Sequence, residues 1–371
     1  MPEGDRVLVA MSGGVDSSVA AMLLARQGHE LVGVTMKTWN HACSGVPGKE
    51  TGCCNLDAIH DARHLATSMG FPHFVADLRE EFNQHIIHNF VDEYLHGRTP
   101  NPCVLCNTHI KWGALLKRAD RLGCSHIATG HYARILQKDG RYVLATGRDS
   151  GKDQSYVLWG LGQGQLKRTL FPLGNLSKST IREVAREAGF ADIASRRESY
   201  DICFIPGGDY RTFLNHRVPG LGERLEGGAF VDGGGRLLGK HQGYPFYTIG
   251  QRKGLPVVAN ESLHVRQIIP QTNTIVLGRR QDLLTRSFCI SGFNPVKYDP
   301  LPPGLSCTVK VRYRDKPRQA QVFPERGLVR IRLQDPAEAV TPGQSAVLYE
   351  GEEVLGGGFI ECHENETGHE E

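Results

Sequence analysis

RVLVAMSGGVDSSVAAMLLA, residues 6–25, carries the clearest structural signal in the chain. The apolar run Val7, Leu8, Val9 and Ala10 stops at Ser12-Gly13-Gly14, and a helical pattern with apolar residues at Val19, Met22 and Leu23 begins after Asp16. This spacing predicts a strand, a tight loop and a helix. Gly13 and Gly14 let backbone N–H groups converge without Cβ obstruction. Ser12, Ser17 and Ser18 add hydroxyls beside a helix N-terminus, where negative charge is favoured. The ligand this suits is a phosphate. The pattern GxxxxGK followed by Ser or Thr is absent, so no lysine reaches back from the same helix as it does in P-loop nucleotidases.

Outward from that unit the first half alternates. Residues 31–36 read as a strand, 56–69 as a helix, 73–77 as a short strand and 80–96 as a helix. Such alternation predicts an α/β doubly wound parallel sheet, whose ligands sit at the carboxyl ends of the strands. Met36, ending the second strand, shares that rim with the glycine loop and either faces an adenine or fills the core. Glycine-rich segments such as 233–235 then separate short strands through residue 277, which suits a small central mixed α/β domain. From about Phe288 the strands expected at 308–313, 319–323, 328–333 and 345–349 alternate with turn signals such as Pro342-Gly343, as in a small β-barrel. The expected division is 1–206, 207–287 and 288–362, with a disordered tail at 363–371.

At 371 residues the chain has room for two or three domains, and 40% hydrophobic against 22% charged residues excludes disorder of the whole. A net charge of +3 permits a nucleic-acid partner without requiring one. Neither a signal peptide nor a run of about 18 uncharged apolar residues is present, so no membrane partner and a cytoplasmic location are expected. In that compartment ten cysteines read as reactive, metal-binding or buried thiols rather than structural disulfides.

Two cysteine segments stand out. In GRTPNPCVLCN, residues 97–107, Pro100 and Pro102 fix an extended approach, and a helical pattern from near Asn107 puts Cys103 and Cys106 at or just before its first turn. A thiolate at a helix N-terminus has a lowered pKa, which makes Cys106 a candidate nucleophile. The same CxxC also admits half a zinc site, a redox pair or part of an iron–sulfur site; no second CxxC completes a four-cysteine zinc centre. In ESYDICFIP, residues 198–206, Cys203 lies in a short apolar run that by itself suits burial. His60 and His64 have the spacing of a zinc-protease helix, but Asp61 stands where that chemistry needs Glu. Cys43, Cys53 and Cys54 crowd a glycine-containing loop better read as a cover over the nucleotide than as a metal trap.

SGGVDSS resembles the pyrophosphate loop of the ATP pyrophosphatases, which cleave ATP between its α and β phosphates and transfer AMP to an oxygen. SGGVDSS, NPCVLCN and DICFI in this order resemble the tRNA 2-thiouridylase family within that group, and so do TGHY (129–132), KDQSY (152–156), GQRKGL (250–255), VRYR (311–314) and TPGQSAV (341–347). The resemblance implies replacement of the O2 of a wobble uridine by sulfur, with ATP and Mg2+ as cofactors and with tRNA and a persulfide donor or relay protein as partners. It implies ATP contacts at Ala10, Met11, Ser12, Gly13, Gly14, Val15, Asp16, Ser17, Met36 and Gly130. It places the target base at Asn101, Pro102 and Cys103, and tRNA at His131, Lys152, Asp153, Gln154, Arg312, Tyr313 and Gln344. Lys152 and Arg312 suit phosphates, and Tyr313 offers a stacking face. By the same resemblance Cys203 carries sulfur as a persulfide, Cys106 is the second thiol, and turnover leaves a Cys106–Cys203 disulfide.

Some family members carry Asp where this chain has Cys103, so a general-base role does not transfer to it. Cys103, Cys106 and Cys203 are also the three thiols that a [4Fe–4S] cluster with one open iron would need. Other readings are an adenylating ligase for small molecules, a tRNA-binding protein without catalysis, and a redox or metal-storage module. The ligase predicts activity after cysteine alkylation, the binding protein no ATP affinity, and the storage module a metal content independent of tRNA.

Overall fold

The computed structural model describes residues 4–39, 56–195, 202–205, 208–258 and 261–361. Cys43, Cys53, Cys54, Asp201 and the tail expected at 363–371 lie outside the described residues. Two compact units emerge. The first holds residues 1–88, 102–213 and 352–354, the second residues 89–101, 214–351 and 355–371.

In the first unit, β1 (Arg6–Ala10), β2 (Glu30–Lys37), β3 (His73–Asp77) and β4 (His126–Ala128) are followed by a hairpin, β5 (Ala133–Lys138) and β6 (Arg141–Thr146), and then by β7 (Thr169–Leu170). The order β3-β2-β1-β4-β7, parallel throughout, makes the expected doubly wound sheet. Val7, Leu8 and Val9 are fully buried because a central parallel strand is covered on both faces, which is why β1 reads as an unbroken apolar run. Helix Val15–Arg26 contributes Val19, Ala20, Ala21, Met22 and Leu24 to the same core. β4, β7 and the hairpin escape the periodicity reading, since β4 and β7 are three and two residues long. The hairpin did carry a local signal. Asp139 and Gly140 have φ of +48° and +75°, as a two-residue turn with both φ positive requires, and Asp-Gly is the dipeptide that favours it.

The helix expected at 80–96 is composite: Arg79–Phe82 is α, Asn83–Ile87 π, and His88–Leu95 α. The helix expected from near Asn107 begins earlier, at Pro102, whose missing N–H costs nothing in a first turn. It runs as α over Pro102–Leu105, as π over Cys106–Ala114 and as α over Leu115–Arg121.

In the second unit, β8 (Gly228–Val231), β9 (Leu237–His241), β10 (His264–Ile269) and β11 (Thr274–Gly278) form a mixed sheet in the order β10-β11-β8-β9. The barrel uses β12 (Leu284–Pro295), β13 (Leu305–Lys310), β14 (Arg318–Glu325), β15 (Leu328–Glu338), β16 (Ser345–Glu350) and β17 (Glu353–Ile360). β12 pairs with both β15 and β17, which closes six strands around Phe288, Val309, Val322, Ile331 and Leu348. The strand expected at 308–313 stops at Lys310, because Asp315 N–H donates to the Arg312 carbonyl and turns the chain. Arg312 and Tyr313 are therefore loop residues. Among the described residues no helix is long and apolar enough to cross a membrane.

Candidate active site

The glycine loop leaves β1 and opens directly onto a helix whose N-cap, Gly14, supplies no side-chain cap, so the first backbone N–H groups keep a role for a ligand. Gly13 adopts φ +71°, and a Cβ there would sit 2.5 Å from the Ala58 carbonyl oxygen. Ser17 braces the turn: its Oγ accepts from Ser12 N–H at 3.0 Å and donates to the Gly14 carbonyl at 3.1 Å. Gly130, just beyond β4, closes the loop from the side; a Cβ would lie 2.7 Å from the Asp16 carbonyl carbon and 2.8 Å from Ser17 N. Ala10, Met11, Val15 and Met36 are buried beneath and beside it, whereas Ser12 is exposed. Ser18 Oγ is buried with no hydrogen-bond partner among the described residues.

Asp16 has two partners that sequence reasoning missed. Tyr132 OH donates to its Oδ1 at 2.6 Å, and Lys178 Nζ lies 2.7 Å from Oδ1 and 2.9 Å from Oδ2. The donors and small residues suit a polyphosphate. Among the described residues Mg2+ finds a single carboxylate at the loop, already engaged by Lys178, so their side chains give it no ligand set and no step below is assigned to it.

Cys103 lies in the first turn of the composite helix, and Cys106 opens its π segment. Trp112 fixes that segment from the other end, its buried indole N–H donating to Thr169 Oγ1 at 2.6 Å. Asn107, also buried, donates to the Val157 carbonyl at 2.8 Å. Stretches of π-helix of this kind cluster at functional sites. Cys106 is half-buried and Cys103 exposed. The lowered thiol pKa expected of this position does not hold for Cys103. Surrounding protein desolvates the thiolate and pushes its pKa up, and the nearby positive charge of Lys111 offsets this only in part.

Cys203 is exposed, against the burial its apolar neighbours suggest. Those neighbours are its anchor. Phe204 and Ile205 are buried, and the Phe204 ring meets Trp39, Phe82 and Phe213 at centroid distances of 6.2, 5.7 and 5.4 Å. The six described cysteines are thiols, so the Cys106–Cys203 disulfide is not formed here. No three His, Cys, Asp or Glu side chains among the described residues gather to hold a metal ion, so Cys103, Cys106 and Cys203 do not form a ligand trio in this arrangement.

His131 is buried. Its Nδ1 lies 2.5 Å from Thr129 Oγ1, and its Nε2 accepts from Lys111 Nζ at 3.2 Å. Desolvation, then the Lys111 charge, holds its pKa well below the usual histidine value, so it has no positive charge to offer a phosphate. The Asp153 carboxylate is turned inward, accepting from Gly147 N–H, Ser155 N–H and Ser155 OH at 3.0–3.1 Å. Gln154 accepts from Tyr132 N–H at 3.0 Å, while Lys152 is half-buried at the edge of the same loop.

The second unit holds the remaining expected contacts. Arg312 and Tyr313 are exposed after β13, and Arg312 donates to the carbonyl of Ala339, a non-glycine residue at φ +51°. Arg312, Ala339, Gly250, Thr99 and Gln344 line a cavity of about 320 Å³. Gln344 Nε2 donates to the Thr99 and Pro100 carbonyls at 3.1 and 2.8 Å, and Asn101 Nδ2 donates to Ser345 Oγ at 3.4 Å. Gln344 thus orders the segment that leads into the cysteine helix.

The family description "tRNA methyl transferase HUP domain" matches residues 5–207, "tRNA methyl transferase PRC-barrel domain" residues 211–279, and "Aminomethyltransferase beta-barrel domain" residues 287–360. Three curated relatives bear the name tRNA-specific 2-thiouridylase MnmA. That of Cytophaga hutchinsonii is 51% identical over 97% of this chain and 98% of its own length. That of Amoebophilus asiaticus is 52% identical over 96% and 95%, and that of Salinibacter ruber 52% identical over 97% and 95%. A solved 4-thiouridine synthetase in complex with RNA and ATP is similar over 59% of this chain and 52% of its own, at 17% identity and a TM-score of 0.33.

Proposed function

The chain belongs to the tRNA-specific 2-thiouridylase family, and from that premise we propose that it thiolates the wobble uridine of tRNA at carbon 2, with ATP as co-substrate. The methyl transfer named in two domain descriptions is set aside, because full-length relatives at 51–52% identity carry the thiolation name. The observation that carries the mechanism is a half-buried Cys106 and an exposed, aromatically anchored Cys203 in the same compact unit as the phosphate loop. In this reading residues 1–206 do the chemistry, while 207–287 and 288–362 grip the RNA.

A carbonyl oxygen is a poor leaving group. The 12–17 loop therefore presents ATP so that O2 of the uridine attacks the α-phosphate, releasing pyrophosphate and leaving an adenylated oxygen that departs as AMP. A persulfide donor or relay protein loads sulfur on Cys203. Either the outer sulfur attacks the activated carbon and the Cys106 thiolate then takes the Cys203 sulfur, or Cys106 first displaces sulfide from the persulfide and sulfide attacks. In both routes the transferred sulfur leaves with the bonding pair, and Cys106 and Cys203 are oxidised to a disulfide that an external thiol must reduce. Arg312, Lys152 and Tyr313 meet phosphates and an unpaired base.

Single-turnover thiolation of unmodified tRNA tests this, using anaerobically purified wild type, Cys103→Ser, Cys106→Ser and Cys203→Ser with iron assayed in each. With a persulfide donor, activity should vanish in the Cys106 and Cys203 variants and survive in Cys103→Ser. Activity that tracks iron and is lost in all three would instead establish a cluster enzyme, and normal activity in all three would remove the cysteines from the mechanism.

A further inference from the structure

Asp16 poses an electrostatic problem. A carboxylate in the first turn of a helix that opens an anion-binding loop repels the phosphate the loop would hold. Lys178 Nζ, 2.7 and 2.9 Å from its two oxygens, removes that repulsion. The lysine side chain is 12% exposed, and a desolvated ion pair of this kind adds little to stability because desolvation offsets its attraction. Its position is nonetheless closely defined. Lys178 N–H donates to Asp149 Oδ2 at 2.9 Å, Ser177 Oγ caps the helix Lys178–Glu187 through Thr180 N–H, and the Tyr132 ring lies 5.7 Å from the ammonium.

Sheet order says which part of a nucleotide this charge meets. Met36 is the last residue but one of β2, the glycine loop follows β1, Gly130 follows β4, and Lys178 comes after β7, in a sheet ordered β3-β2-β1-β4-β7. A nucleotide with its base at the end of β2 carries its phosphates past β1 toward β4 and β7. We propose that Lys178 is a further phosphate-binding residue of this site, shared between Asp16 and the pyrophosphate half of bound ATP. The assignment rests on reading the loop as the ATP site and extends it by naming the cation that meets the leaving pyrophosphate as its negative charge grows.

The test is equilibrium binding of ATP, AMP and inorganic pyrophosphate to the full chain as wild type, Lys178→Met and Lys178→Arg, with thermal unfolding of each. Lys178→Met keeps the apolar stem, so it should stay folded, lose about tenfold or more in ATP and pyrophosphate affinity and keep its AMP affinity, with Lys178→Arg restoring most of the loss. Unchanged ATP affinity in folded Lys178→Met would reduce the lysine to a staple on Asp16 and overturn the proposal. Amine labelling of the wild type needs no variant: ATP should protect Lys178 and AMP should not, and equal protection by both again overturns it. A wild type that binds neither ATP nor pyrophosphate would bring down the ATP reading itself, a failure visible before any variant is compared.

Discussion

His131 is where chemistry and stability meet most directly at the scale of single residues. Its folded-state pKa is depressed by desolvation first and by Lys111 second, so the fold refuses a proton that the unfolded chain accepts. Its contribution to stability is therefore present above the ordinary histidine value near 6.5 and is lost as pH falls below it, by at most about 1.4 kcal/mol per pH unit. Denaturant unfolding of wild type and His131→Asn between pH 8 and 5 should show the wild-type advantage shrinking on acidification; a difference independent of pH would contradict the assignment. Motif matching singles out His131, Asp153 and Gln344, but it cannot say that their polar atoms are engaged by the protein's own groups. Lys178 illustrates the opposite gap. Nothing local marks it, because its partner Asp16 is 162 residues away along the chain.

At the scale of elements, the strand–loop–helix at residues 6–26 is specified twice, by periodicity and by glycines placed where a side chain has no room. Gly13→Ala must adopt φ +71° and push a methyl to within 2.5 Å of a backbone oxygen that cannot swing away. A loss of about 2–4 kcal/mol is expected from the two effects together, accompanied by weakened ATP binding. Urea unfolding with an ATP titration checks it, and a stability within about 0.5 kcal/mol of wild type would show that the helix carrying Ala58 yields. The composite helix was less legible. Pro102, Cys103 and Cys106 announce a helix start, but π geometry depends on what Trp112 and Asn107 find across the fold, namely Thr169 and the Val157 carbonyl. The turn that removes Arg312 and Tyr313 from β13 was likewise hidden behind good strand formers.

At the scale of the molecule, a doubly wound unit and a β-barrel unit each have their own buried core, and the chain carries a net charge of only +3. With so small a net charge, the proposed grip on RNA rests on individually placed cations such as Arg312. Arg312→Gln should reduce the slope of log affinity for tRNA against log salt by about 0.7–0.9, the share of one phosphate contact, and filter binding from low to moderate salt measures it. An unchanged slope would leave Arg312 only its bond to the Ala339 carbonyl. The parallel sheet, the glycine loop after β1 and the barrel were legible in the sequence alone, because periodicity, glycine placement and turn signals are properties of neighbouring residues. Only the tertiary structure decided that Cys203 faces solvent while Phe204 is buried beside Trp39 and Phe82, that Cys103 has a raised rather than a lowered pKa, and that Lys178 neutralises Asp16. Burial, desolvation and charge pairing are set by residues far away in the chain, and they exist only once the chain has folded.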